Sequence, residues 1–107
     1  MDSGKIKIIK DLKNRLTNQL GDNLKDVVLF GSQLSGKSSK DSDFDILIVV
    51  KNKIDWKLER KISDICYEAE LEFGILIDTH ILSENELNLP RGKQPIFDNA
   101  INMGYYV

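Results

Sequence analysis

The chain has a single cysteine in 107 residues, which excludes an internal disulfide and any cysteine-based zinc site. A basic excess is missing too. Fifteen Lys and Arg against seventeen Asp and Glu leave a net charge of −2. Proteins that neutralise many phosphates carry the opposite balance, so a large nucleic-acid footprint is not expected. No apolar run approaches the roughly 20 residues of a membrane span, and the opening MDSGKIKIIKDLK is too polar for a signal peptide. The expected location is therefore the cytoplasm, away from membranes. Repeats, low-complexity tracts and Pro- or Ser-rich linkers are also lacking, so residues 1–107 are expected to form one domain. At 41% hydrophobic and 30% charged, the composition is that of an ordinary folded protein.

Hydrophobic periodicity gives the elements. Ile6, Ile9, Leu12, Leu16 and Leu20 recur at helical spacing after Ser3, a candidate cap, and Gly21 stops the pattern. Val27 to Phe30 is a short apolar run that reads as a buried strand, and Phe44 to Val50 is a second, buried on both faces. Between them, Ser32 to Ser42 is polar and reads as a loop or a single helical turn. Asp55 opens a longer helix with Leu58, Ile62, Ile65, Ala69 and Phe73 on one stripe, closed by Gly74. Trp56 and the buried-stripe Cys66 are assigned to the core, and the thiol is expected to be inert. Ile75 to Leu82 predicts a third strand, Ser83 with Glu86 a capping box, and Pro95 with Gly104 the bounds of a last helix. The expected fold is α/β (α+β), a small mixed sheet flanked by helices.

Two motif matches fail on physical grounds. Gly31-Ser32-Gln33-Leu34-Ser35-Gly36-Lys37-Ser38 satisfies the P-loop pattern directly after a strand. A P-loop needs its Lys-Ser to begin a helix facing the phosphates, and a parallel crossover takes about 10–12 residues with that helix. Only Ser39 to Ser42 remain before Asp43 and the next strand. Asp41, Asp43 and Asp45 alternate as in an EF-hand loop, but the sixth position is Ile46 where Gly belongs and the twelfth is Asn52 where Glu belongs.

Gly31-Ser32, ten residues, then Asp43-Phe44-Asp45 at a strand start survive this screen. Strand alternation points Asp43 and Asp45 to one side, with their Cα atoms about 6.5–7 Å apart. Two such carboxylates repel and call for a cation, and oxygen donors without cysteine or paired histidine favour Mg²⁺ or Mn²⁺. A pair of these ions about 3.5–4 Å apart clamps the attacking and leaving oxygens of a phosphoryl or nucleotidyl transfer. Gly31 lets the backbone approach a phosphate, and Ser32 offers a hydroxyl and an N–H. Asp78 interrupts the apolar third strand. As a buried acid it would bridge a metal, draw the proton from an attacking hydroxyl, or serve as a hydrogen-bonded core residue. His80, two residues on, faces the same side and is either structural or functional. Arg91 and Lys93 lie in a polar loop, as solvated charges or as contacts to a triphosphate.

These residues resemble the nucleotidyltransferase superfamily motif G-S-x(10)-D-x-D with a downstream strand Asp. The family match is to the minimal nucleotidyltransferases (MNT), which are about this long and act as antitoxins paired with HEPN-domain toxins. The likeness rests on LFGS, the spacing to DSDFDILIVV, and Ile77-Asp78. It implies that Gly31 and Ser32 hold the nucleotide phosphates, that Asp43 and Asp45 bind Mg²⁺ in a two-metal site, and that Asp78 is the third acid. Many relatives follow the Ser with a basic residue (GSRARG-like). Here Gln33-Leu34-Ser35 precede Gly36, so Lys37 or Lys40 would have to substitute.

The resemblance further implies Mg²⁺-dependent transfer of an NMP, AMP being expected, from an NTP such as ATP to a tyrosine hydroxyl of a HEPN toxin. The partner would then be the substrate. Two alternatives stay open: a non-catalytic module that neutralises its partner by contact, and transfer to a small molecule such as an aminoglycoside. The latter usually needs an added acceptor domain, for which 107 residues leave no room. The apolar ending Tyr105-Tyr106-Val107 is a candidate surface for docking a partner or for homo-oligomer formation.

Overall fold

Ile9, Leu12 and Leu16 lie on one stripe of α1 (Ser3–Leu20), and this stripe is fully buried. The computed structural model describes residues 3–31 and 43–107. Helix α2 (Trp56–Phe73) is capped as the sequence predicts: the Leu58 amide donates to Asp55 Oδ1 at 2.8 Å, a contact worth about 1 kcal/mol. It ends at Gly74, whose φ of 64° only glycine adopts cheaply. Ile62, Ile65, Cys66 and Ala69 turn its buried stripe toward the sheet. Burial also pushes the Cys66 thiol up from its ordinary range, in keeping with an inert residue.

The sheet has four strands: β1 (Leu24–Phe30), β2 (Phe44–Val50), β3 (Ile77–Ser83) and β4 (Tyr105–Tyr106), in the spatial order β3-β2-β1-β4. β1 runs antiparallel to β2 and β4, whereas β2 and β3 are parallel. The antiparallel pairing of β1 with β2 removes the parallel crossover that a P-loop requires. β2 is buried along nearly its whole length, as FDILIVV predicts. Its alternate residues enter two separate cores. Phe44, Ile46, Ile48 and Val50 pack with Val27 and Leu29 beneath α1 and α2. Leu47 and Val49 pack with Val28, Phe30 and Leu82 against α3 (Pro95–Met103).

Several expectations need correction. Trp56 is not core: it is 69% exposed, because the Asp55 cap makes it the first helical residue, two positions off the buried stripe, where Lys57 lies over its ring. β1 begins at Leu24, three residues before the apolar run, and its register shifts between Leu24 and Asp26. β3 begins at Ile77, not Ile75. The Ser83–Glu86 capping box forms, but it opens a 3-10 turn (Glu84–Asn88), and Pro90–Lys93 makes a second such turn. The Tyr105-Tyr106-Val107 segment, a candidate docking surface in the sequence, pairs within the sheet. β4 joins the sheet edge, with Tyr105 opposite Leu29 and the Val107 amide donating to Val27 O at 3.0 Å. Among the described residues, no helix is long and apolar enough to cross a membrane.

Candidate active site

Three strand ends meet at one corner of the sheet. The β1–β2 register sets Phe30 opposite Asp45, and the β2–β3 register sets Asp45 opposite Asp78. Two hydrogen bonds fix this alignment where the parallel pair begins. The Phe44 amide donates to Leu76 O at 2.8 Å, and the Ile77 amide donates to Glu70 Oε2 of α2, also at 2.8 Å. Because parallel neighbours in register point the same way, Asp45 and Asp78 share the face that carries α3. His80, two residues along β3, joins them there.

Gly31 closes the corner from the β1 side. Its φ is +79°, and a Cβ built there would run into Asp45 Oδ2. Any side chain at 31 would thus meet both backbone strain and the carboxylate. The sequence identified this glycine as a phosphate approach, and its contact with Asp45 was not visible in the pattern.

The electrostatics are unfavourable by construction. Asp45 is half-buried, and its pKa is raised first by loss of water, then by the Asp78 charge and a hydrogen bond to Asp78, with Asp43 adding to the effect and His80 opposing it. Oxygen atoms of Asp45 and Asp78 and a nitrogen of His80 lie within 4.8 Å of one another. His80 Nε2 is 3.4 Å from Asp78 Oδ2, yet it is buried and has no hydrogen-bond partner among the described residues. The imidazole is walled by Phe30, with ring centroids 5.6 Å apart, and by the edge of Phe97 at 6.4 Å. Close carboxylates and an imidazole nitrogen with no hydrogen-bond partner among the described residues together fit a divalent cation.

The sequence candidates therefore divide. Asp45, Asp78 and Gly31 converge. Asp43 is exposed just ahead of β2, near enough for its charge to act on Asp45. Ser32, Lys37 and Lys40 lie outside the described residues. Asp78 is not a buried acid as the apolar run implied: its side chain is 54% exposed, because β3 is an edge strand and Asp78 stands near its open end. Arg91 is held in place, with Nε 3.0 Å from Glu86 Oε2, a hydrogen bond donated to Ile81 O, and its guanidinium over Phe97. Lys93 is exposed. His80 shares the face of Asp78, as their two-residue spacing predicts.

Comparison with known proteins now adds to this geometry. A family model described as "Nucleotidyltransferase domain" matches residues 6–101. A Methanocaldococcus jannaschii protein named "putative protein adenylyltransferase" is 40% identical over 72 residues, covering 67% of this chain and 73% of its own. A second protein of that organism and name is 33% identical over 82 residues, covering 77% of each chain. Among solved structures, a toxin–antitoxin MntA–HpeT mutant superposes with a TM-score of 0.64 at 14% identity, over 91% of this chain and 69% of that one. A toxin–antitoxin structure with AMP-PNP gives 0.62 at 16% identity, over 91% and 70%. At these identities the two structures establish a common fold.

Proposed function

The chain belongs to the nucleotidyltransferase domain family, and from that premise we propose that it transfers AMP from ATP to a tyrosine hydroxyl of a HEPN-type toxin, acting as the antitoxin of the pair. The observation that carries the reading is the convergence of Asp45, Asp78 and His80 beside Gly31, whose missing Cβ leaves room for the Asp45 carboxylate. Asp43, Asp45 and Asp78 would hold divalent cations, Mg²⁺ being the expected species for carboxylate oxygens. Bound there, such ions would neutralise the charge building on the phosphate oxygens. Gly31 and Ser32 would receive the phosphates at the end of β1. The attacking hydroxyl oxygen bonds to the α-phosphorus, the bond to the bridging oxygen breaks, and pyrophosphate leaves. Asp78, half in solvent and acceptor-only when ionised, is suited to take the hydroxyl proton.

The protein acceptor is supported by the names of the relatives and by the toxin–antitoxin context of the structural neighbours. The test is intact-mass spectrometry of the toxin partner after incubation with this protein, ATP and Mg²⁺, with Asp43→Asn as control. The reading predicts a mass gain matching AMP on the partner and none on aminoglycosides. A partner that is bound and silenced without modification would establish the non-catalytic module instead.

A further inference from the structure

We propose that His80 Nε2 is a third ligand, beside Asp45 and Asp78, of the cation held at this corner, and that the resulting set of two oxygens and one nitrogen takes Mn²⁺ in preference to Mg²⁺. The inference rests on reading Asp45 and Asp78 as cation ligands, and it adds an atom which that reading leaves unexplained. Buried polar atoms are almost always paired, so an Nε2 with no hydrogen-bond partner among the described residues needs an account. Its approach to Asp78 is close without being a hydrogen bond. Ligands about 2.1 Å from an octahedral ion stand about 3 Å apart when adjacent and about 4.2 Å apart when opposite. The 3.4 Å between Nε2 and Asp78 Oδ2, and the 4.8 Å limit on the whole cluster, are the spacings of atoms one small contraction away from sharing an ion.

The surroundings hold the imidazole for this role. Phe30 comes from the strand end that faces Asp45, and Phe97 from α3, so rings on two elements wall the imidazole beside the carboxylates. A purely structural histidine in such a place would be expected to hydrogen-bond, not to keep a buried nitrogen idle. Donor chemistry then sets the metal. Mg²⁺ binds oxygen ligands and keeps its waters, whereas an imidazole nitrogen favours first-row transition ions, of which Mn²⁺ is the most tolerant of carboxylates.

His80 is the chain's one histidine, so an imidazole signal can have no other source in a tag-free protein. The test is pulsed electron paramagnetic resonance of Mn²⁺ bound to the full chain, alone and with a non-hydrolysable ATP analogue, using protein grown with ¹⁴N- or ¹⁵N-histidine. The expected result is a directly coordinated nitrogen whose coupling changes with the isotope and disappears in His80→Gln. Mn²⁺ affinity should fall at least about tenfold in that variant, since even outer-sphere partners of metal ligands are worth about 10–100-fold. Mg²⁺ affinity should change far less. Mn²⁺ that binds, is lost in Asp45→Asn and shows no histidine coupling would overturn the role of His80 while leaving the cation site standing. No Mn²⁺ binding under either condition would overturn both. The isotope comparison needs no substitution, so a poorly folding variant cannot obscure the answer.

Discussion

The two faces of the sheet share the same strands and have opposite characters. Under α1 and α2, Ile46, Ile48 and Val50 of β2 are fully buried in a continuous apolar layer. On the other face, α3 is only nine residues long and covers Leu47 and Val49, while Phe97 at its start meets His80, which gathers with Asp45 and Asp78. One face is packed for stability. The other trades stability at its open end for a cluster of like charges that a ligand would relieve. Alternation along a single strand is enough to separate the two tasks.

The largest expected effect breaks the functional face alone. Asp43→Asn or Asp45→Asn should lower AMP transfer by at least about 1,000-fold, the upper range for removing one preorganised electrostatic contact to a transition state. Circular dichroism should be unchanged. Retained transfer in both variants would remove the metal assignment. On the structural face the pattern inverts: Ile48→Ala should cost about 2–5 kcal/mol in urea unfolding, the usual range for truncating a buried aliphatic side chain. Any transfer lost there should track the unfolded fraction.

Gly31→Ala probes the seam between the strand end and the carboxylate. The left-handed backbone alone costs about 1–2 kcal/mol with a Cβ present, and the clash with Asp45 adds to it. Transfer should fall more than thermal stability does, and equal losses would make Gly31 merely a turn residue.

The pH dependence is a smaller effect with a definite sign. The folded-state pKa of Asp45 lies above its ordinary 3.8, so the native chain holds that proton more tightly than the unfolded chain. Below the ordinary value both states are protonated and there is no penalty. As pH rises through and past the folded value, the apo protein loses the difference. Melting temperatures from pH 3 to 7.5 should show Asp45→Asn gaining on the wild type toward neutral pH, with no gain at the acid end. The smallest effect concerns the rejected motif. Lys37→Ala should weaken ATP binding by at most about tenfold, the scale of one partly exposed charged contact, whereas a Walker lysine would abolish turnover.

Much of this was legible in the chain because it is local. Helical recurrence through Ile9, Leu12 and Leu16 specifies α1, FDILIVV specifies β2, and the acids at the start of β2 and in β3 are visible as interruptions of apolar runs. What could not be read depends on distant pairing. The exposure of Asp78 follows from β3 being an edge strand, which no stretch of ILIDTHIL reveals. β4 is two residues long and exists only because Val28 and Leu29 offer it an edge. Phe97 reaches His80 from α3 and Phe30 from β1, so the wall around that imidazole is written in two segments distant from it in sequence. Trp56 was misplaced because its size outweighed its phase: it lies two positions off the stripe through Leu58 and Ile62.

The central claim is that the Asp45–Asp78 pair destabilises the apo protein and is relieved by what it binds. The most direct measurement is the melting temperature at pH 7.5 of wild type and Asp45→Asn, each with and without divalent cation and a non-hydrolysable ATP analogue. The account predicts opposite movements: the substitution raises the apo melting temperature by a few degrees, and it abolishes the further rise that cation and nucleotide give the wild type. An Asp45→Asn protein that melts lower than wild type without ligand, or that keeps the full ligand-induced rise, would contradict it.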